Sequence, residues 1–180
     1  MEVVWTQFPL HPETPQEGRS YQDLFSGREA QVEAMKERIR AIAQEEGLPY
    51  GDRDYTFNSR LAQELAKWAD GREGGARLYD ALFRKVMVEA KNIAEADVLL
   101  EAVAEAGLPA DGAREVIEQR TYSDAVDQDW RRSAEIGVTG VPTFVAGGYG
   151  VVGAQPYEVL QQLVERAGAR KREGGTEPAR

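Results

Sequence analysis

No cysteine occurs anywhere in the 180 residues. That excludes disulfides, thiolate metal sites and a cysteine nucleophile within this chain. Histidine is nearly as scarce. His11 is the only one; it lies between Leu10 and Pro12, and no Gly-x-Ser-x-Gly turn offers it a serine nucleophile. It is read as structural or solvent-facing. The histidine and acidic spacings of zinc and calcium sites are missing too, so no metal is expected. Positive charge is in deficit, with 22 Lys and Arg against 31 Asp and Glu and a net charge of −9. Phosphate binding needs clustered Lys and Arg, so a nucleic-acid partner is not expected. No apolar run approaches the roughly 18–20 residues that cross a bilayer, so neither is a membrane. The opening Met1-Glu2-Val3-Val4-Trp5 shows neither the basic region nor the long apolar segment of a secretory signal. A cytoplasmic protein is the simplest expectation.

What is present suffices for a core. Apolar residues make up 42%, and the length fits one compact domain or a small domain with another inserted. Glu2–Phe8 is rich in β-branched and aromatic residues and predicts a strand. Pro9, Pro12 and Pro15 then enforce extended or turn geometry. From Arg28 to about Glu46, Val32, Met35, Ile39 and Ile42 recur every three or four positions and predict a helix. Gly47 fits its C-cap and Pro49 blocks its continuation. Further helices are predicted from Asn58 or Ser59 to Gly71, from Gly75 to Ala90 (stripe Leu78, Leu82, Phe83, Val86), over Glu95–Ala106, over Ala110–Gln119, and from Ser123 to Gly137. Phe8, Phe57, Trp68, Phe83 and Trp130 are expected in the core or in cleft walls. Acidic side chains fall mostly opposite the apolar stripes, as on solvated faces. Asp124, Asp127 and Asp129 stand near a helix N-terminus, which favours negative charge. No period of repeat length is present. Residues 169–180 are polar and Gly-rich, and a disordered tail is expected there.

After Gly137 the pattern changes. A short loop leads to Val141-Pro142, β-formers follow in Thr143-Phe144-Val145, and Gly147-Gly148 offers a two-residue hairpin turn. Tyr149–Val152 supplies a second strand, and Pro156 suits the first turn of a closing helix. By itself the Val-Pro pair does not separate a cis bond on a cleft rim from a trans proline starting an edge strand.

The words GVTGVPTFV (137–145), YGVVGAQP (149–156) and EVLQQLVERAG (158–168) resemble the C-terminal half of the DsbA-like thioredoxin fold, in its FrnE-like branch. The helical words NSRLAQELAKWA, LYDALFRKVMVEAKNI, VLLEAVAEAGL and YSDAVDQDWRRSAEIGVTGVP extend the resemblance over roughly residues 1–168. It implies an α/β, thioredoxin-like fold with a large all-helical insertion. Residues 1–20 and 137–168 would form a partial thioredoxin-like domain, and 21–136 the inserted helical domain. The family's first strand, its Cys-x-x-Cys and the helix it opens would lie upstream of Met1, so the chain is expected to be N-terminally incomplete.

The activity implied is thiol–disulfide exchange, in which a thiolate attacks a disulfide and a second cysteine releases it. The resemblance makes Pro142 the cis-proline opposite that motif, with Thr139, Gly140 and Val141 lining the substrate approach. Catalytic residues are absent from the chain, and no cofactor is implied. The partners expected are a polypeptide or a small thiol or disulfide, with a second copy of the chain allowed. Two alternatives stand beside this. One is a glutathione-dependent isomerase or kappa-class transferase-like enzyme. The other is a non-catalytic peptide-binding module.

Overall fold

The computed structural model describes residues 2–170. In chain order its elements are β1 (Arg19–Ser20), α1 (Tyr21–Leu24), α2 (Glu29–Glu45), β2 (Tyr55–Thr56), α3 (Arg60–Ala69), α4 (Ala76–Met87), α5 (Ala96–Glu105), α6 (Ala110–Gln119), α7 (Ser123–Glu135), β3 (Thr143–Ala146), β4 (Tyr149–Val152) and α8 (Tyr157–Arg166). The helices expected from the apolar spacing all form, with ends shifted by a few residues, as capping allows. α4 stops at Met87, and the chain turns away through Ala90, which holds a positive φ of 53°.

The chain divides into two compact units. The larger runs from His11 to Asp129. Its core is the apolar side of four helices packed in a ring, α3 on α4, α4 on α5, α5 on α6 and α6 back on α3. Leu65, Leu78, Leu99, Val103 and Val116 are fully buried there, with Trp68 among them. Phe83 departs from its expected place and is exposed. It follows Leu82 by one residue, about 100° round the helix, and the ring needs only the Leu78–Leu82 face. Phe57 packs against the ring from outside, next to the short antiparallel β1–β2 ladder.

One carboxylate is buried in this unit. Glu64 has no exposed surface, and its oxygens accept hydrogen bonds from Arg60 Nε at 2.8 Å and from Arg120 Nε and Nη2 at 2.7 Å each. Burial by itself would raise its pKa. The bonds from Arg120 and Arg60 outweigh burial and hold the carboxyl below the usual carboxylate range. Arg60 also bonds the Ser123 carbonyl and pairs with Asp127, so this network ties α3 to the start of α7. Lys85 is buried as well. Its ammonium contacts Glu105, Glu89 and Glu101 at 2.6, 3.0 and 3.3 Å, and the Glu105 bond raises its pKa most.

The smaller unit comprises, among described residues, 2–10 and 130–170. It holds the end of α7, the antiparallel β3–β4 hairpin and α8. The strand expected over Glu2–Phe8 does not form. Strand residues are stabilised by a laddered neighbour, and among the described residues the two strand ladders do not include this segment. Val3, Val4 and Trp5 are exposed. Of the expected disordered tail, residues 171–180 lie outside the described residues.

Candidate functional site

The local sequence places the four expected site residues in one loop. α7 ends in a Schellman motif: Gly137 N–H donates to the Ala134 carbonyl at 3.1 Å and Val138 N–H to the Ser133 carbonyl at 2.9 Å. That reverses the chain into Thr139, Gly140, Val141 and Pro142, which lead directly into β3. Thr143 Oγ1 donates to the Gly140 carbonyl at 2.6 Å, and Gly153 N–H donates to the Pro142 carbonyl at 2.7 Å. Both ends of the loop are thereby fixed. The Val141–Pro142 peptide bond is cis. Thr139, Val141 and Pro142 are exposed and Gly140 half-buried. Among the described residues, neither the amide nor the carbonyl of Val141 has a hydrogen-bond partner.

The hairpin gives this loop an open flank. Gly147 and Gly148 both hold positive φ, 56° and 82°, which is the two-residue turn whose twist suits a hairpin. The register pairs Thr143 with Val152, Phe144 with Val151, Val145 with Gly150 and Ala146 with Tyr149. A two-residue turn makes Ala146–Tyr149 the closing bonded pair, and alternation makes Phe144–Val151 the next. The N–H and C=O groups of Thr143 and Val145 therefore point away from β4. No other strand pairs with that edge among the described residues. Side chains alternate as well. Phe144, Ala146, Tyr149 and Val151 share the face on which α8 packs, with the Arg166 guanidinium 4.2 Å from the Tyr149 ring. Thr143, Val145 and Val152 take the other face, where both valines are more than half exposed.

Sequence reasoning found the loop and the hairpin but missed the valines. Val145 and Phe144 look alike in a short apolar strand, and only the register tells the covered face from the bare one. Pro156 also sits one residue earlier than expected, at the N-cap of α8, where its carbonyl accepts from Val159 N–H. His11 belongs to the larger unit and is exposed beside Glu13, with 3.7 Å between Nδ1 and the carboxylate. No group of acidic or histidine side chains suited to a metal ion occurs among the described residues. No helix of the described residues is long and apolar enough to cross a membrane.

An open strand edge with a bare apolar face can take an extended polypeptide through main-chain hydrogen bonds and apolar side-chain contacts. It offers no nucleophile of its own for thiol chemistry, since the chain has no cysteine. Comparisons with known proteins agree with this architecture. A solved structure described as a probable DsbA oxidoreductase from Streptomyces coelicolor superposes with a TM-score of 0.84 at 32% identity. The match covers 98% of this chain and 80% of that one. A Bacillus subtilis protein, YwbO, is 27% identical over 172 residues, which span 91% of this chain and 81% of its own. The DSBA-like thioredoxin domain model matches residues 1–165. The chain therefore belongs to the DsbA-like thioredoxin family and has its helix-rich fold with few short strands.

Proposed function

We propose that this chain forms the polypeptide-binding part of a thiol–disulfide oxidoreductase of the DsbA type. An extended substrate would pair with the free N–H and C=O groups of Val141 beside the cis peptide bond. Thr139, Gly140 and Pro142 would line its approach. The single observation that carries this reading is the cis Val141–Pro142 loop, in which the Val141 amide and carbonyl have no hydrogen-bond partner among the described residues. Exchange itself requires a thiolate to attack one sulfur of a disulfide and expel the other as a thiolate. With no cysteine here, the attacking sulfur must come from outside these residues. The chain alone is then a binder and not a catalyst.

The test pairs a binding measurement with an activity measurement. A fluorescein-labelled, reduced and carboxymethylated α-lactalbumin serves as the extended probe, followed by fluorescence anisotropy. Val141→Pro deletes the outward amide of that loop, which no intramolecular hydrogen bond uses. It should weaken binding by roughly three- to tenfold, the worth of one net hydrogen bond. Circular dichroism should stay unchanged. Equal affinity of variant and wild type, or no binding by the wild type, would sink the reading. Insulin-disulfide reduction by this chain should show no turnover above the buffer blank.

A further inference from the structure

Helix α2 carries an apolar stripe that its own unit leaves uncovered. Val32, Met35, Ile39 and Ile42 lie along one side of the helix, yet Ala43 is its only buried residue. Met35, Ile39 and Ile42 are 46, 38 and 48% exposed. Leu48, 62% exposed, prolongs the stripe beyond the helix end. Its position is fixed by a second Schellman motif. Gly47, at φ 67°, donates to the Gln44 carbonyl at 3.2 Å, and Leu48 N–H donates to the Ala43 carbonyl at 2.8 Å. One flank of α2 is already engaged, because Lys36 bonds Asp54 at 2.6 Å and Arg40 pairs with Asp52. The free flank carries Arg38 and Glu45, one heptad apart, and neither forms an ion pair among the described residues.

Those two charges identify the occupant. When two helices pack antiparallel about a two-fold axis, each presents the same flank to the other. The register that sets Ile39 of one copy against Ile42 of the second also puts Arg38 and Glu45 of that copy on the same side, about 3 Å apart along the axis and within side-chain reach. Symmetry repeats both contacts, giving two apolar layers and two opposite-charge pairs from four residues. A parallel pairing would face Arg38 with Ala43 and gain no charge contact. We propose that α2 is the interface of a homodimer, packed antiparallel on its copy, burying Ile39 and Ile42 and exchanging two Arg38–Glu45 pairs. A single helix pair of this length falls below the roughly 1,200 Å² that marks the low end of specific interfaces, so the dimer is weak, with Kd on the order of 10 µM.

Sedimentation velocity of the full chain from about 1 µM to about 500 µM brackets that constant. The expected result is a monomer–dimer equilibrium that Ile39→Asp abolishes across the whole range. Arg38→Glu and Glu45→Arg should each weaken the dimer at least threefold, since each sets like charges face to face. The double variant Arg38→Glu/Glu45→Arg should restore the wild-type constant to within about twofold, because it re-forms both pairs reversed. All three substitutions are on exposed positions, and unchanged far-ultraviolet circular dichroism confirms the fold. A monomer at every concentration, including one that binds some other protein through α2, overturns the proposal. So does a dimer that survives Ile39→Asp, or a double variant no tighter than the single ones.

Discussion

Glu64 is the residue on which charge and burial bear most strongly. An ionised carboxylate with no exposed surface is tolerated only because two guanidinium groups reach it. Replacing it by Gln keeps the shape and leaves Arg60 and Arg120 without their counter-charge. Arg120 is about half exposed and can turn to water, whereas Arg60 is largely covered. The expected loss is thus about 3 kcal/mol of unfolding free energy, the lower end of what breaking a buried pair costs. The sign of the pH dependence follows from the depressed carboxyl. In the unfolded chain Glu64 titrates near its ordinary 4.5, and in the folded chain below it. Its contribution is present above pH 4.5 and is lost as the pH falls through the folded value. Between neutral pH and pH 3 the gap in urea midpoint between wild type and Glu64→Gln should narrow toward the acid end. A gap that stays constant with pH would refute this account of the network.

At the scale of the element, the hairpin shows how much of its geometry is set by two glycines. Gly147 has a positive φ, and a Cβ built there would lie 2.8 Å from the Cβ of Ala167, just beyond α8. Gly148 also has a positive φ, but nothing lies within 4 Å of a Cβ at that position. Gly148→Ala should therefore cost only the left-handed backbone term, about 1–2 kcal/mol. Gly147→Val adds displacement of α8 and should cost at least about 1 kcal/mol more. Thermal unfolding of the two variants separates these terms, and equal losses would mean that α8 does not press on the turn. This turn was legible because Gly-Gly between two β-forming runs has few other uses. Helix existence was legible for a similar reason, as periodic apolar residues ended by glycine and proline leave one reading. The strand expected over 2–8 was not, since β-branched residues specify a preference and pairing supplies the strand. The four-residue α1, the two-residue β1–β2 ladder and the Arg60–Glu64–Arg120 network escaped as well. The ladder and the network depend on contacts between distant positions, as in the Arg120 bonds to Glu64 across 56 residues, while α1 is a single turn capped locally by Ser20.

For the whole molecule, the family was legible from the order and spacing of weak amphipathic words, none of which is specific alone. What remained hidden was which apolar surfaces are covered. The stripes of α2 and α4 read alike in sequence, yet Leu78 and Leu82 are buried while Ile39 and Ile42 are not. The difference is made by the ring of α3–α6, whose members bury one another's stripes and leave α2 out. The core cluster of this unit draws its buried residues only from Ala62 to Val116. Such a core holds all its partners within one continuous stretch, and the ion pairs that join it to α7, Arg60–Asp127 and Lys67–Asp129, end before residue 130. A fragment of residues 11–135 keeps the ring, both pairs and a complete α7. It should unfold in a single cooperative urea transition with a midpoint close to that of the parent chain's helical signal. Packing of this kind is all-or-none, because each helix of the ring has two neighbours and the loss of one strips two apolar faces. A fragment that binds a hydrophobic dye and melts without a transition would show that the ring depends on residues outside that stretch, and that its closed set of contacts is not what makes it stable.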